Sequence, residues 1–182
     1  MTVRISKPAF NLRDKLTELD FARVPYEKMP PQSIIQRKRY FVTSQRSSSS
    51  SSDLDVITGQ IRPIFASSQI LIELAVTPYG GNESTLSVRG RIRRGYGVGT
   101  ASSGTQIYYK RRMFFRSGTP ALKAMCGQMV AMDEPHTTDI LEYVFQTSVE
   151  SSSGSSTIEF YADGYAVGAP ENVMTIMEIR GN

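Results

Sequence analysis

Leu86-Ser87-Val88-Arg89-Gly90-Arg91-Ile92-Arg93 decides the fold class of this chain. Leu86, Val88 and Ile92 fall on alternate positions, with Ser87, Arg89, Arg91 and Arg93 between them. Successive side chains of a strand point to opposite faces, so this stretch reads as a β-strand with an apolar face and a basic face. The same period recurs on both sides. Ile70, Ile72, Leu74 and Val76 alternate with Leu71, Glu73 and Ala75, and Leu141, Tyr143, Phe145 and Val149 are set around Glu142 and Gln146. Ile107, Tyr109, Met113 and Phe115 form another series with Lys110 and Arg112 opposite, Ile158 and Phe160 a short one, and Thr175, Met177 and Ile179 a last one. Runs at Ile34–Thr43 and Val56–Phe65 are weaker strand candidates, which makes about eight strands. Turn-forming clusters separate them: Pro78 to Asn82, Gly95 to Gly104, Ser117 to Pro120, Ser151 to Ser156 and Asp163-Gly164. The expected fold is all-β, an antiparallel β-sandwich of jelly-roll type filling residues 33–182. One helical patch is expected near Pro120–Met129, and the serine run Ser47–Ser52 reads as a flexible loop within the domain.

The first 32 residues follow another pattern. Asn11 suits a helix N-cap with Asp14 in the first turn, and Leu12, Leu16 and Leu19 recur on one helical face. Pro25 ends that helix, and Met29-Pro30-Pro31 continues as an extended strap. A helix of about three turns is marginal alone and needs a surface to pack on. Residues 1–32 are therefore expected to be an anchoring arm, with Leu12, Leu16, Leu19, Pro25, Tyr26 and Met29 as its contact residues. The surface it packs on is either the chain's own domain or another subunit of a larger assembly.

Composition narrows the function. The chain has 182 residues, 40% of them hydrophobic and 21% charged, enough for one real core. Its apolar runs are too short to span a bilayer, and no signal peptide is expected at the N-terminus. A single cysteine, Cys126, rules out an intrachain disulfide and a thiolate zinc cluster, and its apolar and small neighbours suggest a buried, inert thiol. A single histidine, His136, leaves one imidazole for any triad. No cofactor and no metal are expected.

Charge is uneven along the chain. Residues 1–36 carry +2, residues 37–116 carry +9 and residues 117–182 carry −7, which together give the net +4. A basic middle followed by an acidic end either offers a face to an anionic partner or compensates itself within a fold or between subunits. The second reading is preferred, because both signs are present in one chain. The basic strands are the sharpest chemical feature. Arg89, Arg91, Arg93, Lys110 and Arg112, near Tyr96, Tyr108 and Phe114, suit single-stranded nucleic acid or an anionic glycan. They equally suit Glu142, Glu150 or Glu159 across a subunit boundary, where arginine forks match carboxylates. The subunit contact ranks first and nucleic acid behind it.

Two motifs invite catalysis and carry little. Gly95-Tyr96-Gly97-Val98-Gly99 looks like a phosphate loop, but a β pattern follows and no Gly-Lys-Ser/Thr closes it, so a mobile β-loop is expected. Asp133-Glu134-Pro135-His136-Thr137-Thr138-Asp139 sets carboxylates beside the imidazole, and a polar loop entering a strand explains it without chemistry. A hydrolase would need Asp133, Glu134 and Asp139 gathered around a cleft. No catalytic residues are assigned.

A family resemblance enters on longer phrases. Arg4-Ile5-Ser6-Lys7-Pro8, Phe10-Asn11-Leu12-Arg13-Asp14-Lys15-Leu16 and Val24-Pro25-Tyr26-Glu27-Lys28-Met29-Pro30, followed by Gln32-Ser33-Ile34-Ile35-Gln36, resemble the opening of small virion proteins of marine tailed phages of the cyanophage kind. The body resembles a β-domain recurrent in phage tail-fibre and decoration proteins. The matching phrases are Thr58-Gly59 through Ile64 to Ser67-Ser68-Gln69-Ile70-Leu71-Ile72, then Met132-Asp133-Glu134-Pro135-His136-Thr137-Thr138, then Met174-Thr175-Ile176-Met177-Glu178-Ile179-Arg180-Gly181. Arg62-Pro63 and Gln69 depart from that pattern, and Arg89 to Arg116 is more basic than it. The resemblance implies a non-enzymatic virion component, a homo-oligomer and in particular a homotrimer, contacting other capsid, tail or neck proteins. As a tail fibre or adhesin it would face a host-surface glycan, and as a capsid decoration protein it would set its arm on the head lattice. No membrane insertion is implied.

Overall fold

A computed structural model describes residues 26–49, 51–80, 85–117, 123, 124, 126–152, 157–161 and 172–181. In chain order the strands are β1 (Ile34–Phe41), β2 (Arg46–Ser48), β3 (Leu54–Ile61), β4 (Gln69–Val76), β5 (Tyr79–Gly80), β6 (Thr85–Tyr96), β7 (Thr105–Ser117), β8 (Lys123–Ala124), β9 (Gly127–Asp133), β10 (Leu141–Ser152), β11 (Ile158–Phe160) and β12 (Val173–Ile179). The helical content described is two single turns of 3-10 helix, Tyr26–Lys28 and Ala101–Ser103.

Eight longer strands form two antiparallel sheets. The first has the order β1-β12-β4-β9 and the second β3-β10-β6-β7. The pairs β1–β12, β3–β10, β4–β9 and β6–β7 nest inside one another along the chain. They form one long antiparallel ribbon wrapped around itself, which is the jelly-roll topology expected from the strand pattern. The four short strands continue the ribbon through the connections at one end. β2, β5, β8 and β11 each lie between longer strands and assemble as a small sheet, β2-β11-β5-β8. At the opposite end lie the β3–β4, β6–β7 and β9–β10 connections, the strap before β1 and the residues after β12.

The core forms between the sheets because each strand turns its alternate apolar positions inward. Ile70, Ile72, Leu74 and Val76 of β4 meet Leu86, Val88 and Ile92 of β6 and Leu141, Tyr143 and Phe145 of β10. Phe160 of β11 packs edge-on against Phe145 with ring centroids 6.2 Å apart, so the end sheet shares the same core. Gly59 leaves room for the Tyr40 ring, whose hydroxyl donates to the Gln60 carbonyl. That contact closes the sandwich between the edge strands β1 and β3. Two of the four edge strands of the larger sheets carry basic residues, Arg37, Lys38 and Arg39 on β1 and Lys110, Arg111 and Arg112 on β7. Charged edges of this kind discourage unwanted strand addition.

Several local expectations change. Residues Gly127–Asp133 form strand β9, with β8 before it, instead of helix around Pro120–Met129. Ile72 on β4 supplies a ready partner in register with Ala131. The serine run is not all loop, because Arg46–Ser48 pairs with β11. In β12 the inward residues are Met174, Ile176 and Glu178, so Thr175, Met177 and Ile179 face outward. Bulges shift β7 so that Met113 and Phe114 are both buried and Tyr109 is exposed. Cys126 is exposed, its sulfur 3.8 Å from the Thr77 hydroxyl, and is not the buried thiol expected. The proposed arm helix, with Leu12, Leu16, Leu19 and Pro25, lies outside the described residues.

Candidate functional site

The basic strands are largely answered within the chain. On the outer face of the second sheet, Arg91 pairs with Asp53 at 2.9 Å, and Arg89 donates to Ser148 Oγ at 2.5 Å and to the Ser51 carbonyl at 2.8 Å. Arg93 donates to the Gly104 carbonyl at 2.9 Å, and the Arg91 guanidinium also stands over the Tyr109 ring at 5.7 Å. Arg111 pairs with Glu150, which also takes a bond from Ser87. The Arg111 contact outweighs burial, which pushes the other way, and holds Glu150 below the usual carboxylate range. Lys110 and Arg112 are exposed on the β7 edge, and Arg112 sits at a bulge with φ +54°. Phe114 belongs to the core, while Tyr96 and Tyr108 are exposed. Of the acidic partners expected across a subunit boundary, Glu150 pairs within the chain, Glu142 is buried and Glu159 accepts from Tyr161.

Three buried carboxylates organise the loop end of the sandwich, and sequence periodicity marks none of them. Asp133, at the end of β9, takes both oxygens to Arg94 of β6, at 2.7 and 2.8 Å, and accepts from the Tyr143 hydroxyl of β10 at 2.6 Å. The first sheet is thereby tied to the second. Burial works against the Arg94 cation, but Asp133 outweighs it and holds the guanidinium above its usual pKa. Burial, and then the bond to Asp133, push the Tyr143 phenol far upward.

Glu142 faces outward from β10 and is covered by the β6–β7 connection. It accepts from the Gly99 and Ala101 backbone N–H groups at 3.0 and 3.2 Å and from Gln60 at 2.9 Å. Gly97 and Gly99 have φ of +87° and +77°, which lets the backbone curl around the carboxylate. The glycine motif thus does cradle an anion, the chain's own, and is held rather than loose. Burial pushes Glu142 up, but the bonds from Gly99, Gln60, Ala101 and Thr100 prevail and hold it below the usual carboxylate range. Glu178 gathers the β3–β4 connection, accepting from the N–H groups of Ile64 and Phe65, from Ser68 Oγ and from Gln36.

The carboxylates of the His136 segment do not converge. Asp133 belongs to Arg94 and Tyr143, Glu134 accepts from Gln69 at 2.7 Å, and Asp139 accepts from Thr137. His136 is exposed, with φ +53°. Among the described residues no three His, Cys, Asp or Glu side chains stand together as a metal site. No helix of the described residues is long and apolar enough to cross a membrane. Of the arm residues, Tyr26 is exposed and Met29 half-buried, and the carbonyls of both accept from the Arg180 guanidinium.

The outer face of the first sheet was not anticipated. Its cross-strand rows are Arg37–Met177–Leu71–Met132, Arg39–Thr175–Glu73–Val130 and Phe41–Val173–Ala75–Gln128. Most of these positions are apolar. On β9, Val130 is 58% exposed and Met132 49%. A groove of about 250 Å³ runs over this face, lined by Glu73, Ala75, Gln128, Val130, Val173 and Thr175.

No family model and no curated protein matches the chain. The solved structures it is similar to include several of one virus. One is the VP2 subviral particle of infectious bursal disease virus, with TM-score 0.40, 15% identity, and coverage of 87% of this chain and 42% of that one. Others are the T=1 particle derived from infectious bursal virus (TM-score 0.40, 16% identity, 87% and 40% covered) and the Gx strain of infectious bursal disease virus (0.35, 16%, 87% and 43%). The chain spans about two-fifths of the length of these proteins. Superpositions this loose carry no functional argument, and the strand order above stands on the chain's own hydrogen bonds.

Proposed function

We propose that this protein is a non-enzymatic structural component of a virus particle that self-associates through the outer face of its first sheet. The exposed apolar row on β9, Val130 and Met132 beside Leu71 and Ala75, is the observation that carries this reading. An apolar strip left to water along the edge of a sheet is typical of a surface that meets another protein. The second copy of the chain is its partner, as the resemblance to phage virion proteins implies, and a trimer is the assembly expected. The same resemblance supports a tail-fibre or adhesin component, or a capsid decoration protein, whose residues 1–32 attach it to the particle.

The mass of the chain in solution, by light scattering, tests the interface. The wild type should run as an oligomer, and Val130→Asp should shift it to the monomer with its circular dichroism unchanged. A wild-type monomer, or an oligomer indifferent to Val130→Asp, would refute this face as the contact. Leu16→Asp should keep the oligomer and lose incorporation into particles, and normal incorporation would remove the arm from the attachment.

A further inference from the structure

A polar hollow at the loop end of the sandwich is separate from that interface. Four segments build it: the strap with Gln32, the β3–β4 connection and first residue of β4 with Ser67 and Gln69, the β9–β10 connection with Glu134 and His136, and Arg180 after β12. It encloses about 250 Å³. Sites for drug-sized ligands are larger, about 300–1,000 Å³, so this one suits a ligand of about one ring.

The walls are set in place without a ligand. Gln32 N–H donates to the Arg180 carbonyl at 2.8 Å, and Arg180 N–H to the Ser33 carbonyl at 2.9 Å. The Arg180 guanidinium holds the strap through Tyr26 and Met29. Glu178 fixes the β3–β4 connection, Gln69 reaches across to Glu134, and Asp133, next to Glu134, is pinned by Arg94 and Tyr143. A site preorganised in this way spends little binding energy on ordering itself.

Backbone strain gathers at the same place. Gln32 and His136, at φ +68° and +53°, are two of the three non-glycine residues with positive φ among those described, and both line the hollow. Such conformations are disfavoured for side-chain-bearing residues, persist where the surroundings impose them and cluster at ligand sites. Glycine would take the backbone of residue 136 freely, yet the chain places an imidazole there, exposed and facing the hollow.

The lining chemistry selects the ligand class. Gln32 and Gln69 bring amides, Ser67 a hydroxyl and His136 an imidazole, and the Glu134 carboxylate is matched in charge by Arg180. A phosphate would meet Glu134, an ammonium would meet Arg180, and an apolar group would find no apolar wall. Hydroxyl groups, each able to donate and to accept, answer every member of this set. We infer that the hollow is a carbohydrate site, taking one pyranose ring of an uncharged glycan. The inference deepens the adhesin form of the function proposed above, but the hollow is complete in one protomer, so the two fail separately.

Saturation-transfer NMR on the full chain tests it, with methyl glycosides of glucose, galactose and mannose and with N-acetylglucosamine as probes at millimolar concentration. At least one probe should receive saturation. His136→Gly relieves the strained backbone, so its melting temperature should stay level or rise while binding weakens about tenfold, the loss of one or two hydrogen bonds. Glu134→Ala should weaken binding similarly, and Val130→Asp should leave it unchanged even as a monomer. No transfer to any of the four probes, or transfer undiminished in both His136→Gly and Glu134→Ala, would overturn the assignment.

Discussion

Replacing Arg94 by Met removes one half of the ion pair that ties β6 to β9 across the sandwich. The guanidinium meets both oxygens of Asp133, at 2.7 and 2.8 Å, and the two side chains are only 12% and 8% exposed. After the substitution Asp133 keeps one neutral donor, the Tyr143 hydroxyl. Breaking one side of a buried pair costs about 3–5 kcal/mol, because the remaining charge stays desolvated. Arg94 retains some contact with water, which places the expected loss near the lower end, about 3 kcal/mol. In a domain of this size each kcal/mol moves the midpoint about 2–4 °C, so melting should fall by roughly 6–12 °C. The triple variant Arg94→Met, Asp133→Leu, Tyr143→Phe removes every member of the network and leaves no orphaned charge. It should lie within about 1 kcal/mol of the wild type, or above it. Guanidinium unfolding followed by circular dichroism measures both. A loss below about 1 kcal/mol for Arg94→Met, the value of an exposed pair, would refute the reasoning. It would mean that water screens Asp133 and that packing alone holds β9 against the second sheet.

Two further outcomes follow from the same geometry. Because Glu142 is held below the usual carboxylate range, its grip on the β6–β7 connection is complete at neutral pH and is lost as pH falls through that lowered value. Hydrogen exchange at the Gly99 and Ala101 amides should accelerate selectively there, beyond the intrinsic pH effect, and Glu142→Gln should show the fast exchange already at neutral pH. Unchanged protection of both amides in Glu142→Gln would assign the loop's order to something else. Gly59→Val would put its side chain where the Tyr40 ring lies, at an overpacking cost of about 1–3 kcal/mol, and undiminished stability in denaturant would show that Tyr40 does not close that edge.

The strands that were legible in the sequence are those with polar residues set between their apolar ones. β4, β6 and β10 alternate strongly because their inward residues are large and apolar while their outward neighbours include Glu73, Arg91 and Gln146. β9 was not legible. Its inward residues are Gly127, Met129, Ala131 and Asp133, and its outward ones include Val130 and Met132. Glycine at 127 faces the Phe114 ring, where a side chain would not fit, so the inward series is the less apolar of the two. The absent alternation and the exposed apolar face have one cause: the outward positions of β9 are as apolar as its inward ones. The phase of β12 is obscured for the same reason, with Met177 outward and Glu178 inward.

By itself the sequence determined an all-β class, most strand positions and the uneven distribution of charge along the chain. These are local or summed properties, and the period of two and the count of charges survive without knowledge of neighbours. Only the tertiary structure decided which carboxylates are buried, where the basic strands spend their charge, and that residues as distant as Gln32, Gln69, His136 and Arg180 line one hollow. The wrapping of the ribbon brings those segments to the same end of the molecule, and no periodicity along a chain encodes which of its turns will meet.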